Sequence, residues 1–301
     1  MLLARFGMGG YAFADGVEAD GYTFADEVEA DEAALRPVSN TIAYQFGYGQ
    51  MRDSYLTPLL YGGRANTVRY DRARRLRSSL LSNQQTITGT LMTGDDKGNH
   101  SESWAARASY HYALHFGVWR SELWSLAVGP YSGAEVGFDY NLKLATANNP
   151  ATVHADVTFV GASAAAAWHY RLGHHSCLAL LSVQAPLAGS TLMPDFGGSY
   201  YETFYLDDYA GSKTAIFTSL HNEQNLDVRL TTDLPVALVP CLRRFNSRLT
   251  LGVDYRIETM KVNHIVRRFS TIEAVIGWTY QQLPYHPTRS GRSSRPSIEP
   301  W

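Results

Sequence analysis

Between Ser103 and Trp119 every second position is apolar. Trp104, Ala106, Ala108, Tyr110, Tyr112, Leu114, Phe116 and Val118 share one face; Arg107, Ser109, His111, His115 and Gly117 fall on the other, which stays small, polar or charged until Trp119. The period of two recurs along the chain. Residues 41–50 set Ile42, Tyr44, Phe46 and Tyr48 against Thr41, Gln45 and Gly47, and residues 123–140 set Trp124, Leu126, Val128, Val136 and Phe138 against Ser125, Glu135, Gly137 and Asp139. The stretches 225–234, 248–258 and 270–280 repeat it. Such alternation predicts strands whose two faces meet different surroundings. A helical period of similar length shows only at 70–81, overlapping a weak strand near 65–75.

Three features point to lipid rather than a protein core on the apolar faces. Many strands exceed ten residues, where soluble strands cluster at about five or six and a membrane-spanning strand needs ~9–11. The opposite faces combine charges of both signs with Gly, Ala and Ser, which suits a confined lumen better than free solvent. Trp104, Trp124, Trp168 with Tyr170, and Trp278 with Tyr280 stand toward strand ends, as in the aromatic girdles of membrane barrels. Strands are predicted near 40–50, 65–75, 84–94, 102–118, 123–140, 155–171, 176–185, 200–206, 213–221, 225–234, 247–259 and 266–281. The expected fold is therefore an all-β antiparallel transmembrane β-barrel of about 12 strands, with 10 as the alternative because 65–75 and 200–206 are weak. An even number places both termini in the periplasm. Short turns fall near 119–122 and 172–176, and longer links at 51–66, 141–152 and 185–199, the last expected to fold into the lumen.

Composition narrows the partners. A net charge of −2 over 301 residues gives neither a nucleic-acid footprint nor a polybasic anchor. No run approaches the ~18 apolar residues of a spanning helix; the best, 160–168, is short and Ala-rich. Cys177 and Cys241 make no framework, and their pairing is left open. Residues 1–38 read as a degenerate or truncated export signal, with the translation start set too late, followed by an acidic flexible leader in which 11–20 is echoed at 22–31. The barrel is assigned to 39–283, and 284–301 to a disordered Pro/Ser/Arg tail.

Candidate chemistry is sparse. His111 and His115 sit about 13 Å apart along one strand and cannot share a metal; His174 and His175 fall in a turn. Ser109 and His111 point inward without an orienting acid, and no Gly-x-Ser-x-Gly is present. No catalytic residue, cofactor or metal site is assigned. The inward charges are Arg107, Glu135, Asp139, Asp227 and Arg229, continued by Asp233, Arg248, Asp254, Arg256 and Glu258, with Glu273 beside them. Mixed signs suggest cross-lumen ion pairs rather than a single-sign selectivity ring. Two loop strings stand out: Asp53, Tyr55 and Pro58 in the first, and Gly198, Tyr200, Tyr201 and Glu202 in the second. Turn geometry and packing account for much of each; the other reading is an exposed aromatic surface for a glycan or a protein.

The strings at 44–63, 148–152, 185–204 and 218–224 resemble a Bacteroidota family, domain of unknown function 3316, over about 40–283. The resemblance implies a signal-bearing outer-membrane barrel and carries over no activity and no catalytic residue. The chain departs from the family pattern at its two ends, in a poor export signal and a tail beyond the last strand.

The reading is a non-enzymatic barrel of a Gram-negative outer membrane, surrounded by membrane lipid. It acts as a small-solute pore or as an accessory barrel docking other envelope proteins. A soluble ligand-binding barrel or sandwich, and an outer-membrane lipid-modifying enzyme, are the alternatives.

Overall fold

The computed structural model describes residues 38–76, 81–96, 98, 101–142, 150–173, 175–193, 215–236 and 247–282. They form eleven strands: β1 (Val38–Asp53), β2 (Tyr61–Arg75), β3 (Leu81–Asp96), β4 (Ser101–Arg120), β5 (Trp124–Asn141), β6 (Ala151–Leu172), β7 (His175–Leu192), β8 (Ala215–Ser219), β9 (Glu223–Pro235), β10 (Ser247–Val262) and β11 (Ile265–Gln282). Each long strand pairs antiparallel with its neighbours, and β1 pairs with β11 from Val38↔Gln282 to Asp53↔Arg267. The long strands thus close into a ring, with the short β8 paired along β7.

The closed ring has ten staves. β8 and β9 are both antiparallel to β7, β8 along Ala188–Leu192 and β9 along Leu178–Gln184. They are two collinear halves of one stave. The break at 220–222 is tied back by Asn222, whose Nδ2 donates to the Phe217 carbonyl and whose Oδ1 accepts from the Ser219 amide. The two strands expected at 213–221 and 225–234 therefore merge, and the one expected at 200–206 lies outside the described residues. This gives the ten-strand alternative. The even number brings Val38 and Gln282 to one end, together with the short β4–β5 and β6–β7 turns.

Several links are shorter than the sequence suggests. β1 runs on to Asp53 and β7 to Leu192, so the first half of 185–199 is strand rather than a loop inside the lumen. Tyr70–Arg75, inside the helical-period stretch, belongs to β2, because β1 and β3 pair with it on both sides. At the far end β10 and β11 join through Asn263 (φ 48°) and His264 (φ 60°), a two-residue turn with both φ positive that matches the strands' twist. Residues 1–37 and 283–301, where leader and tail are expected, lie outside the described residues.

Inside and outside are inverted relative to a soluble domain. Among the described residues, buried polar and charged side chains outnumber buried hydrophobic ones, while Ile42, Tyr44, Phe46, Val68, Trp104 and Ile272 are exposed. A soluble monomer rarely exposes contiguous apolar surface of such extent. Among the register shifts, two turn side chains outward. Between Gly117 and Trp119 the β4 register slips, so Val118 and Trp119 are both exposed and the indole leaves the lumen side of its strand. Opposite Tyr131, β6 carries Phe159 and Val160 outward together.

Candidate functional site: the barrel lumen

The lumen is built from alternate residues of every stave and falls into three tiers. At the end shared by the termini lies a cavity of about 180 Å³ lined by Ser39, Thr41, Ser125, Ala165, Ser182 and Thr231 among others. These small side chains leave the lumen open there. The floor of the cavity is a buried ion network. Arg69 Nε reaches Asp71 Oδ2 at 3.0 Å and its Nη1 reaches Asp254 Oδ2 at 3.3 Å; Arg229 Nη1 reaches the same Asp71 oxygen at 2.6 Å. Thr86 donates to Asp71 Oδ1 at 2.7 Å and Gln45 to Asp254 at 3.3 Å. Charges so deeply buried require both a counter-charge and hydrogen bonds, and here they have both.

The middle tier holds three more arginines. Arg107 meets Asp139 through two nitrogens, Nη1 to Oδ1 at 2.8 Å and Nη2 to Oδ2 at 2.9 Å, and its guanidinium lies 4.9 Å from the Phe269 ring centre. Arg256 Nη2 contacts both Glu135 and Glu258. Arg267 Nη2 reaches Asp156 Oδ2 at 2.5 Å, and Asp156 also accepts from Thr191. His154 Nε2 stands 3.7 Å from Asp156. Gly137 makes room for this crowding: a β-carbon there would lie 2.0 Å from the His154 ring and 2.8 Å from Arg107 Nη1. Glu135 and Asp156 border a second cavity of about 50 Å³.

Toward the far mouth the described residues pack into apolar clusters. Met51, Tyr61, Met92, Ala105 and Phe269 form one buried cluster, and Met193, Met260, Val262 and Ile265 another. Asp53 folds the β1–β2 loop over them, accepting from Thr152 at 2.7 Å and from the Tyr55 amide at 2.9 Å. Tyr55 packs on the second cluster. Pro58 is exposed at the loop tip, and Gly198, Tyr200, Tyr201 and Glu202 lie outside the described residues.

The structure brings Arg107, Glu135 and Asp139 together, with Arg256 and Glu258 on their other side. Asp227 stands 3.8 Å from Arg69, Asp233 accepts from Thr250 at 2.6 Å, Glu273 accepts from Thr67 at 2.9 Å, and Arg248 is half-buried near the terminal end. His111 lies 5.7 Å from the Tyr131 ring, while His115 bonds Ser163 Oγ at 2.8 Å. Cys177 is a buried free thiol; Cys241 and His174 lie outside the described residues. Sequence reasoning missed Arg69, Asp71, His154, Asp156 and Arg267. The signal was present at 153–158, where His154, Asp156 and Thr158 alternate with Val153, Ala155 and Val157.

A family model described as a protein of unknown function, DUF3316, matches residues 16–283. No curated protein matches the chain. Among solved structures, the outer membrane protease OmpT from Escherichia coli aligns at 8% identity over 82% of this chain and 97% of that one, with a TM-score of 0.47. The translocator domain of the autotransporter NalP from Neisseria meningitidis aligns at 9% identity over 84% and 92%, with a TM-score of 0.38. The attachment invasion locus protein Ail of Yersinia pestis aligns at 10% identity over 82% and 100%, with a TM-score of 0.29. Likenesses this remote carry no argument about role.

Proposed function

The chain belongs to DUF3316, a family of proteins of unknown function, and from that premise we propose that it is a closed, non-enzymatic barrel of a Gram-negative outer membrane that docks other envelope proteins. One observation carries this reading: the lumen is crossed by buried guanidinium–carboxylate networks and then capped by the two apolar clusters at the far mouth. A barrel of ten staves is only slightly wider than the eight-stranded type that side chains fill, and here arginines fill it. The apolar exterior supports a lipid setting over a soluble ligand-binding barrel.

Docking is favoured by what lies beyond the lipid belt. Most staves have 15–22 residues, more than the ~9–11 a bilayer needs. On β1 the outward face turns polar after Tyr48, at Gln50 and Arg52, which pair with Ser270 and Arg268. This raised polar collar, with the loop anchored by Asp53, offers a rigid surface to a partner. Reconstitution in planar bilayers tests the reading against the small-solute pore. The closed barrel yields no stable conductance steps; reproducible ohmic steps from the pure protein would overturn it.

A further inference from the structure

The middle tier contains more negative charge than its arginines balance. The cavity of about 50 Å³ is walled by Glu135, Asp156, Glu223, Asp227 and Glu258. Against these five carboxylates stand Arg256, in the same wall, and Arg267, which reaches in to Asp156; Arg69 lies 3.8 Å from Asp227 but is shared with Asp71 and Asp254, and Arg107 lies 3.9 Å from Glu135 but is matched by Asp139. Several buried atoms in this tier have no hydrogen-bond partner, Arg107 Nε and Arg267 Nη1 among them, and two belong to side chains able to ligate a cation. Glu258 binds Arg256 through Oε1 only, leaving Oε2 unpaired on a side chain 5% exposed, and His154 Nε2 is unpaired at 2%. Ligand atoms of Glu135, His154 and Asp156 lie within 4.8 Å of one another. Unpaired buried acceptors and excess buried charge are both costly, and a single cation between them relieves both.

We infer that Glu135, His154 and Asp156, backed by Glu258, form a binding site for one divalent first-row metal ion inside the lumen. Carboxylates with one imidazole suit Mn²⁺ or Zn²⁺, and the excess of carboxylates over guanidiniums accommodates a charge of two. Glu135 comes from β5, His154 and Asp156 from β6, and Glu258 from β10. The three ligands stand on the adjoining β5 and β6, and Glu258 lines the same cavity from β10, which is not a neighbour of either. The site is distinct from the docking role and stands whether or not the barrel conducts.

The test uses the full-length folded barrel in detergent, stripped with chelator and titrated with Mn²⁺ alone by electron paramagnetic resonance, then with Co²⁺ alone by visible absorption. About one equivalent binds, and Co²⁺ shows d–d bands whose position reports its ligand field. His154→Gln shifts those bands, and Glu135→Gln weakens Mn²⁺ binding by more than about tenfold, the scale on which metal sites respond even to outer-shell changes. Asp233→Asn, which borders the other cavity, binds as the wild type does. Heat-shifted gel mobility checks that each variant is folded. Absence of stoichiometric binding, which means that protons alone neutralise the carboxylates, would overturn the site. So would binding indifferent to both His154→Gln and Glu135→Gln in folded protein.

Discussion

Arg107 shows how a charge is kept inside this barrel. Its two-pronged contact with Asp139, the nearby Glu135 at 3.9 Å and the face of Phe269 leave it 3% exposed. Removing one partner of such a pair strands the other in a poorly solvated place, at about 3–5 kcal/mol, whereas replacing both with well-packed apolar groups is often neutral. Asp139→Ala is therefore expected to lower the unfolding free energy, followed by urea titration in lipid vesicles, by about that amount. The double change Arg107→Met with Asp139→Leu recovers most of the loss, since Glu135 keeps Arg256. If the double variant is as unstable as the single one, the pair is not an isolated unit.

At the scale of a strand, what matters is which side each residue faces. In β10, Leu251 lies opposite Ile276 and Thr232 in the ladder, and its neighbour Thr250 is buried, hydrogen-bonded to Thr279 at 2.7 Å and to Asp233 at 2.6 Å. Leu251→Arg puts a charge toward lipid, at about 2–4 kcal/mol near the midplane, and sharply reduces the folded form recovered from membranes. Thr250→Arg projects into the cavity of about 180 Å³ beside Asp233, so assembly continues at near-normal yield. Equal yields of the two in a membrane-assembly assay would contradict the face assignment. The β4 bulge shows the limit of strict alternation: one slipped residue after Gly117 turns Trp119 outward, where an indole belongs at a membrane interface.

For the whole molecule, closure decides both stability and setting. The long strands pair on both sides, and the exterior carries Trp104, Trp124, Trp168 and Trp278, all exposed, with the Trp124 and Trp168 rings stacked 5.6 Å apart. A particle with this exterior needs lipid or detergent to stay dispersed. Cell fractionation is expected to leave the native protein with membranes after salt and alkaline washes, to release it only with detergent, and to show lower gel mobility after boiling. Release without detergent would make the apolar exterior a protein interface instead.

Most strands, their faces and the antiparallel barrel were legible in the amino-acid pattern, because a period of two is a local property that each strand carries alone. The sequence also bore the resemblance to the family. Residues such as Ile42, Tyr44 and Phe46 are read outward and Gln45 inward with no knowledge of the rest of the chain. The number of staves was not legible in the sequence, since joining β8 to β9 depends on their common partner β7, a contact made in the fold. The tertiary structure alone decided which charges meet across the lumen. Arg69 meets Asp254 across 185 positions of sequence, Arg256 meets Glu135 across 121, and Arg267 meets Asp156 across 111. Those pairings follow from ring closure and from the stagger between strands, and neither is written in any single strand.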